Sequence, residues 1–236
     1  MPILISIGIA KTNKYASRES GDTVEIVERP GGGMSVIMAD GQGSGRAAKS
    51  LSMLVTAKVA ALLKEGVRDG ASARAANDFL FAMRHGQVSA TLDILSVDLK
   101  SGTVVVTRNS ATDCLVSSGD GAAVIPGNDH PLGLHARTRP WATEFPTECG
   151  TQVILVSDGI AHSGSRRGLP RFDLGECARQ TGATVDAQTI ADYILAAAIE
   201  RDAGKPADDM SVVVLTLSEH HQALPLRRMS AEVPIP

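Results

Sequence analysis

The sequence predicts an α+β fold built on antiparallel sheets, and three observations carry that prediction. Strand-length apolar runs follow one another through short turns rich in Gly, Pro and Ser, as in hairpins and meanders. Helical periodicity is confined to two places, each holding a pair of helices. At 236 residues the chain is long enough for one large domain with a substantial core. Aromatic residues make up only 3% of it, so that core is built from Val, Ile, Leu, Ala and Met.

Met1–Ala10 is apolar and reads as a first strand; it lacks the basic start of a signal peptide and the length to span a bilayer. Lys11–Glu19 is a polar loop. In Ser20–Glu28, Val24, Ile26 and Val27 with Thr23 and Glu25 interleaved give a half-buried strand, which Arg29-Pro-Gly-Gly-Gly33 turns back. Val36–Ala39, with Met34 ahead of them, form a buried strand that ends in Asp40 and the alternating glycines Gly41, Gly43 and Gly45. Glycines at these places let backbone groups approach whatever the acid binds. A hairpin centred near Gly31 sets Asp22 level with Asp40. Two carboxylates so placed repel each other, unless a cation lies between them or one stays protonated.

From Arg46 a helix buries one face formed by Ala47, Ala48, Leu51, Leu54, Val55, Val59, Leu62 and Leu63. A second, Ala-rich helix spans Ala71 to about Arg84. The period then changes to two, and Ala90–Leu99, Thr103–Arg108, Cys114–Ser117 and Ala122–Ile125 read as an antiparallel meander. Asn128–Arg139 is a polar loop and Trp141–Phe145 an edge strand. Gly150–Ile160 repeats the earlier device, a buried strand delivering Asp158 into Gly159. A short helix near Leu174–Gln180 follows, then a longer one from an Asp186 N-cap to about Arg201. Asp208 stands just before a last strand, Ser211–Leu217, so Asp158 and Asp208 share an edge if their strands are antiparallel neighbours. Residues 1–218 read as one domain and 219–236 as a flexible tail.

A net charge of −3 leaves no basic footprint, which argues against nucleic acid as the main partner. Cys114, Cys149 and Cys177 lie far apart with no CxxC spacing, so neither a disulfide framework nor a zinc site is expected. Free thiols and the lack of a leader or membrane span suit a cytoplasmic protein.

Four aspartates, Asp22, Asp40, Asp158 and Asp208, thus stand at strand ends. Oxygen ligands without His or Cys select hard cations such as Mg²⁺ or Mn²⁺, which suit phosphate substrates. Two such ions roughly 3.5–4 Å apart lower the pKa of a shared water and aim it at a phosphorus atom. One Asp-Gly alone is as readily a turn. Two buried-strand-Asp-Gly units, each with an acidic companion, point to a metal site.

The ordered segments Ser20-Gly-Asp22, Ala39-Asp-Gly-Gln-Gly-Ser-Gly45, Ala90-Thr-Leu-Asp93, His130-Pro-Leu-Gly133, Val156-Ser-Asp-Gly159 and Asp208-Asp-Met-Ser-Val-Val-Val214 resemble the motifs of the metal-dependent (type 2C) protein phosphatases. Their order is most similar to the bacterial branch typified by stage II sporulation protein E, SpoIIE, over about residues 3 to 217. The resemblance implies an αββα sandwich, two stacked antiparallel sheets flanked by helices. It implies a serine/threonine phosphatase using two Mn²⁺ or Mg²⁺ ions, with Asp40 bridging both and the Gly41 carbonyl on one. Asp158 and Asp208 would hold one ion, and Asp22 would act on the other. With no sensor, transmembrane or kinase-like segment, the chain resembles stand-alone phosphatases of stressosome and anti-sigma-factor pathways. Those act on phosphorylated STAS-domain proteins, which the resemblance implies as partner.

Several residues depart from the broader family pattern. Gln42 stands where other members place a His proposed as general acid. Arg18 is the nearest counterpart to their phosphate-binding arginine. Asp93 faces either the metals or merely the other side of its sheet, and Asp209 orients Asp208 or caps the turn. His85 is placed as a helix C-terminal dipole partner, and His220 and His221 in a solvated tail. The basic loop His162–Arg171, with Arg166, Arg167 and Arg171, suits a phosphorylated or acidic partner face. An alternative from another class is a catalytically weak binding module for a phosphorylated partner. A nucleotide phosphate loop at Gly41–Gly45 is disfavoured, because it lacks the P-loop lysine.

Overall fold

Alternation within each strand decides how this chain packs. The computed structural model describes residues 2–119, 121–180, 186–220 and 227–233. In chain order its first half contains β1 (Ile3–Thr12), β2 (Asp22–Glu28), β3 (Gly33–Gly41), α1 (Gly45–Lys64), α2 (Asp69–Arg84), β4 (Ala90–Asp98) and β5 (Thr103–Arg108). There follow β6 (Cys114–Ser118), β7 (Gly121–Ile125), β8 (Trp141–Pro146), β9 (Gln152–Val156), α3 (Asp158–Ala161), α4 (Leu174–Gln180), α5 (Ala187–Arg201) and β10 (Met210–Glu219). Among the described residues the strands form two five-stranded antiparallel sheets, ordered β1-β10-β9-β6-β7 and β2-β3-β4-β5-β8.

Three apolar layers hold the sheets and helices together. Between the sheets pack Val36 and Met38 of β3, Leu95 and Val97 of β4, Leu155 of β9, and Val213 and Leu215 of β10. The alternate residues face outward: Ile37, Ala39 and Ile94 meet α1 and α2, while Val212 and Val214 meet α5. Successive residues of a strand point to opposite faces, so a sheet covered on both sides needs apolar residues at every position. That is why these antiparallel strands read as continuous apolar runs and not as alternating ones. Each fully buried Leu or Ile contributes about 1.5–3 kcal/mol, which fixes the helices to the sheets more firmly than helix propensity alone. The result is the expected αββα sandwich.

The expected meander is not one. Ala90–Asp98 and Thr103–Arg108 pair in the second sheet, but Cys114–Ser118 and Gly121–Ile125 pair in the first, and β5 takes β8 as its other neighbour. Residues 109–113 carry the chain from one sheet to the other. Both pairs have the same period of two, and local pattern says nothing of which sheet a strand joins. β8 is the edge strand expected. The last strand runs through Glu219, and Arg227 stands 3.6 Å from Glu28. Cys114, Cys149 and Cys177 are free thiols. Among the described residues no helix is long and apolar enough to cross a membrane.

Candidate active site

The middle apolar layer stops where the inward-facing positions turn polar. Along β2 the inward series Ile26, Val24 ends in Asp22; along β3 the series Val36, Met38 ends in Asp40. On β10 the series Leu215, Val213 begins with Ser211, and on β1 the series Ile7, Ile9 is followed by Lys11. Asp22 pairs with Asp40 in register, as the hairpin predicts. The Ser211 hydroxyl crosses from the other sheet and donates to Asp22 Oδ2 at 2.7 Å. Lys11 and Lys49 ammoniums donate to the Asp22 carbonyl at 2.9 and 2.8 Å. Asp158 opens α3 directly after β9, and Asp208 precedes β10, the antiparallel neighbour of β9. A cleft of about 250 Å³ lies here, lined by Lys14, Asp158, His162, Arg166 and Asp208.

These carboxylates act on one another. Burial pushes the Asp40 carboxyl up to about 8, and Asp22, Asp158, Asp208 and Asp209 push it further in the same direction. Burial likewise pushes Asp22 up to about 6, against the Ser211 hydrogen bond and the Lys11 charge, which lower it. Asp158 is raised by burial and by Asp208, with His162 opposing. A methyl on Gly21 would lie 3.3 Å from Asp209 Oδ2 and 3.4 Å from Asp40 Oδ1, so two carboxylates crowd one backbone position.

Asp22 Oδ1 is buried and accepts no hydrogen bond. An orphaned buried acceptor costs about 1–3 kcal/mol, more when charged, and a hard cation is what would repay it. The donor set is all oxygen, which fits Mg²⁺ or Mn²⁺ and no softer ion. As they stand, no three His, Cys, Asp or Glu among the described residues enclose a common point closely enough to hold an ion.

The remaining acids and motif residues have other tasks. Asp209 accepts from the Lys14 amide at 2.8 Å and the Gly21 amide at 2.7 Å, so it ties the loop between β1 and β2 to the start of β10. Asp208 accepts from the Asp209 amide at 3.0 Å, and Lys14 Nζ lies 3.8 Å away. Asp93 faces between the sheets, where Arg108 Nε donates to it at 3.2 Å and Ser110 at 2.7 Å. Both members of that pair are 1% exposed, so Asp93 belongs to a buried ion pair and not with the four site aspartates. The Gln42 side chain accepts from the Ser89 amide at 2.9 Å and is spent on holding the start of β4.

Gly41 is a glycine because a Cβ there would collide with the Ala48 carbonyl of α1. Gly43 and Gly45 have φ of +99° and +65°, the left-handed conformations that let the chain turn from β3 into α1. In His130-Pro-Leu-Gly133, Leu132 bridges to Ala90 and the Gly133 amide donates to the buried Asn77 of α2 at 2.9 Å, a structural anchor. His85 is the left-handed C-cap of α2. The His220 amide donates to the Pro2 carbonyl, and His221 lies outside the described residues. Of the basic loop, Arg166 lines the cleft, whereas Arg167 caps the α5 carbonyls of Glu200 and Arg201 and Arg171 sits against Asp113. Sequence reading missed Ser211, Lys11 and Lys49. Ser211 alone gave a signal, a lone hydroxyl on the inward face of an apolar strand.

Comparison with known proteins agrees with this geometry. The family model for stage II sporulation protein E (SpoIIE) matches residues 30–218, a stretch that holds Asp40, Asp158 and Asp208 and leaves Asp22 outside. Stage II sporulation protein E of Priestia megaterium is 24% identical over 221 residues, covering 92% of this chain and 37% of that protein. The chain thus spans about a third of that relative's length. A structure of the PP2C phosphatase domain with a fragment of the regulatory domain of SpoIIE from Bacillus subtilis superposes with a TM-score of 0.80 at 22% identity, over 93% of this chain and 65% of that one. The catalytic domain of the serine/threonine phosphatase PstP, solved with two manganese ions, superposes with a TM-score of 0.70 at 16% identity, over 92% and 100%. With β3 to β10, and with them Asp40, Asp158 and Asp208, inside that match, the chain belongs to the stage II sporulation protein E (SpoIIE) family.

Proposed function

We propose that this chain is a metal-dependent phosphatase that hydrolyses phosphoserine or phosphothreonine on a regulatory partner, a STAS-domain protein being the substrate the family resemblance favours. One observation carries the reading: strand ends from both sheets bring Asp22, Asp40, Asp158 and Asp208 to one end of the sandwich, where burial and the neighbouring carboxylates raise the pKa of Asp22, Asp40 and Asp158. In this reading Asp22, Asp40, Asp158 and Asp208, with the Gly41 carbonyl, would hold the two ions. When bound, Mg²⁺ or Mn²⁺ would polarise the phosphoryl oxygens and acidify an attacking water.

The chain's own residues do the positioning. Ser211 fixes the Asp22 carboxyl by its hydrogen bond, and Asp209 fixes the loop that carries Gly21. Lys14, His162 and Arg166 line the cleft through which a phosphorylated side chain reaches the acids. The positive charge of Lys14 and Arg166 offsets the repulsion between that cluster and a dianionic phosphate. Gln42 is not the proton donor, since an amide cannot give up a proton usefully and its oxygen is already engaged.

The test is hydrolysis of a small aryl phosphate with EDTA, Mg²⁺ or Mn²⁺, beside Asp40→Asn and Asp158→Asn. Turnover should need metal and fall by ~10²-fold or more in both variants, the size of loss when one preorganised charge at the reacting centre is removed. Turnover that survives EDTA, or survives both substitutions, refutes the reading. Release of phosphate from a phosphorylated STAS-domain protein then tests the partner. A folded protein that binds that phosphoprotein without turning it over would establish the binding module instead.

A further inference from the structure

A larger cavity, of about 440 Å³, opens beside Asp22 between the end of β1, the loop that follows it and the first two turns of α1. Ser20 in its wall is two residues from Asp22, and Lys11 and Lys49 in its wall both bond the Asp22 carbonyl. Four cations line it, Lys11, Arg18, Arg46 and Lys49, against the single acid Glu19. Such a concentration is unexpected in a chain whose net charge is −3. Among the described residues neither the Arg18 nor the Arg46 side chain has a hydrogen-bond or ion-pair partner. The two lysines bond the Asp22 carbonyl and answer the charge of Asp22 and Asp209, so the two arginines are the cations left over.

Arg46 also sits where helix electrostatics oppose it. It lies in the first turn of α1, which carries no acidic residue, and the N-cap Ser44 makes no side-chain cap. A cation at a helix N-terminus is disfavoured, because that end already carries partial positive charge. Arg46, Lys49, Ser50 and Met53 fall three and four residues apart, so α1 turns one face to the cavity. Guanidiniums bind carboxylate or phosphate through paired N–H donors, and one anion here would answer both Arg18 and Arg46.

We infer that this cavity is an anion subsite for the protein substrate: it receives an acidic or phosphorylated side chain lying a few residues from the phosphoserine or phosphothreonine that is hydrolysed. The inference rests on the phosphatase reading above and adds a substrate class to it, a segment with a second negative charge near its target. Its volume exceeds what a lone phosphate fills, and its wall adjoins the Asp22 site, so one extended segment reaches both at roughly 3.3–3.6 Å per residue. The subsite also discriminates: a basic residue at the same place would meet four like charges and be rejected.

The experiment uses the full chain with phosphopeptides that share one sequence and one phosphoserine. About two to four residues away they carry Ala, Glu or a second phosphoserine. Both kcat/KM with Mn²⁺ and binding by fluorescence anisotropy are measured for the native protein and Arg46→Glu. Thermal melts check that the variant is folded. The Glu and doubly phosphorylated peptides should be preferred by about 10-fold or more, chiefly in KM and Kd. Arg46→Glu should bring that ratio to about one, and the native preference should shrink as salt rises to about 1 M. Equal rates and affinities on all three peptides overturn the subsite, as does a preference that Arg46→Glu leaves intact. Displacement of the doubly charged peptide by inorganic phosphate at equal concentration also overturns it, since it makes the cavity a small-anion site. Turnover without preference removes the subsite and keeps the phosphatase. Preferential binding that Arg46→Glu abolishes, without turnover of any peptide, keeps the subsite and removes the phosphatase.

Discussion

Asp22 and Asp40 face each other across the β2–β3 hairpin, and their protonation is a stability question as much as a catalytic one. Both are raised above the ordinary value of 3.8 in the fold, Asp22 to about 6 and Asp40 to about 8. The folded protein therefore binds more protons than the unfolded chain between those limits. By linkage its metal-free stability is fully present below about pH 4 for these groups and is lost as pH rises to about 8. Thermal melts in EDTA at about pH 5 and pH 8 should show the higher midpoint at pH 5, and Mn²⁺ should recover most of the difference at pH 8. A flat profile would mean the acids do not interact as their placement implies. Asp40→Asn should flatten the same profile, raising the metal-free midpoint at pH 8 by about 2–4 °C per kcal/mol of repulsion removed.

Ser211 is a sharper test of positioning than any acid. It gives Asp22 its hydrogen bond across the sheets and is itself fully buried. Ser211→Ala should raise the Asp22 pKa, because it removes a bond to the charged form. The pH–rate profile of aryl phosphate hydrolysis should move its acidic limb upward, while Ser211→Thr restores it. A uniform fall in rate with no shift in the limb would make Ser211 merely structural.

At the scale of elements, glycines set how closely α1 and α3 approach the strands that deliver the acids. A Cβ on Gly41 collides with the Ala48 carbonyl, and one on Gly159 collides with the Asp209 carbonyl. Gly41→Ala and Gly159→Ala should each cost about 1–3 kcal/mol in urea unfolding, with turnover falling further than stability alone explains. The basic segment after α3 divides by role. Arg166→Glu should slow a phosphoprotein more than an aryl phosphate. Arg167→Glu, which breaks the cap on α5, should lower the melting temperature and leave that ratio unchanged. Equal effects from both would deny Arg166 a part in docking.

For the molecule as a whole, the Arg108–Asp93 pair joins the sheets. Arg108 bonds Asp93 on β4, Ser110 and Thr112 in the crossing segment, and the Ile125 carbonyl at the end of β7. Arg108→Met alone should cost about 3–5 kcal/mol, because it leaves Asp93 buried and unpaired. Asp93→Leu in the same chain should return most of that loss, which equilibrium unfolding of the single and double variants measures.

Much of this architecture is legible in the sequence, and the physical reason is locality. Turn chemistry around Gly31 fixes a hairpin, and a hairpin fixes its own register, so the meeting of Asp22 and Asp40 needs no distant information. Periods of 2 and 3.6 fix the type of nearly every element, and an acid at a strand end is placed once the strand is. Tertiary structure alone decides what lies across from those acids. Inward and outward faces are both Val, Ile and Leu, so nothing in them tells β5 to take β8 or β6 to join the other sheet. Nor does pattern tell Asp93, an acid on an apolar strand like Asp40, that its neighbour is Arg108 and not a cation site. Ser211 and Lys11 reach Asp22 only because the two sheets stack, and Lys49 because α1 packs on β2 and β3; both packings are chosen by the fit of whole apolar faces, which local sequence does not carry.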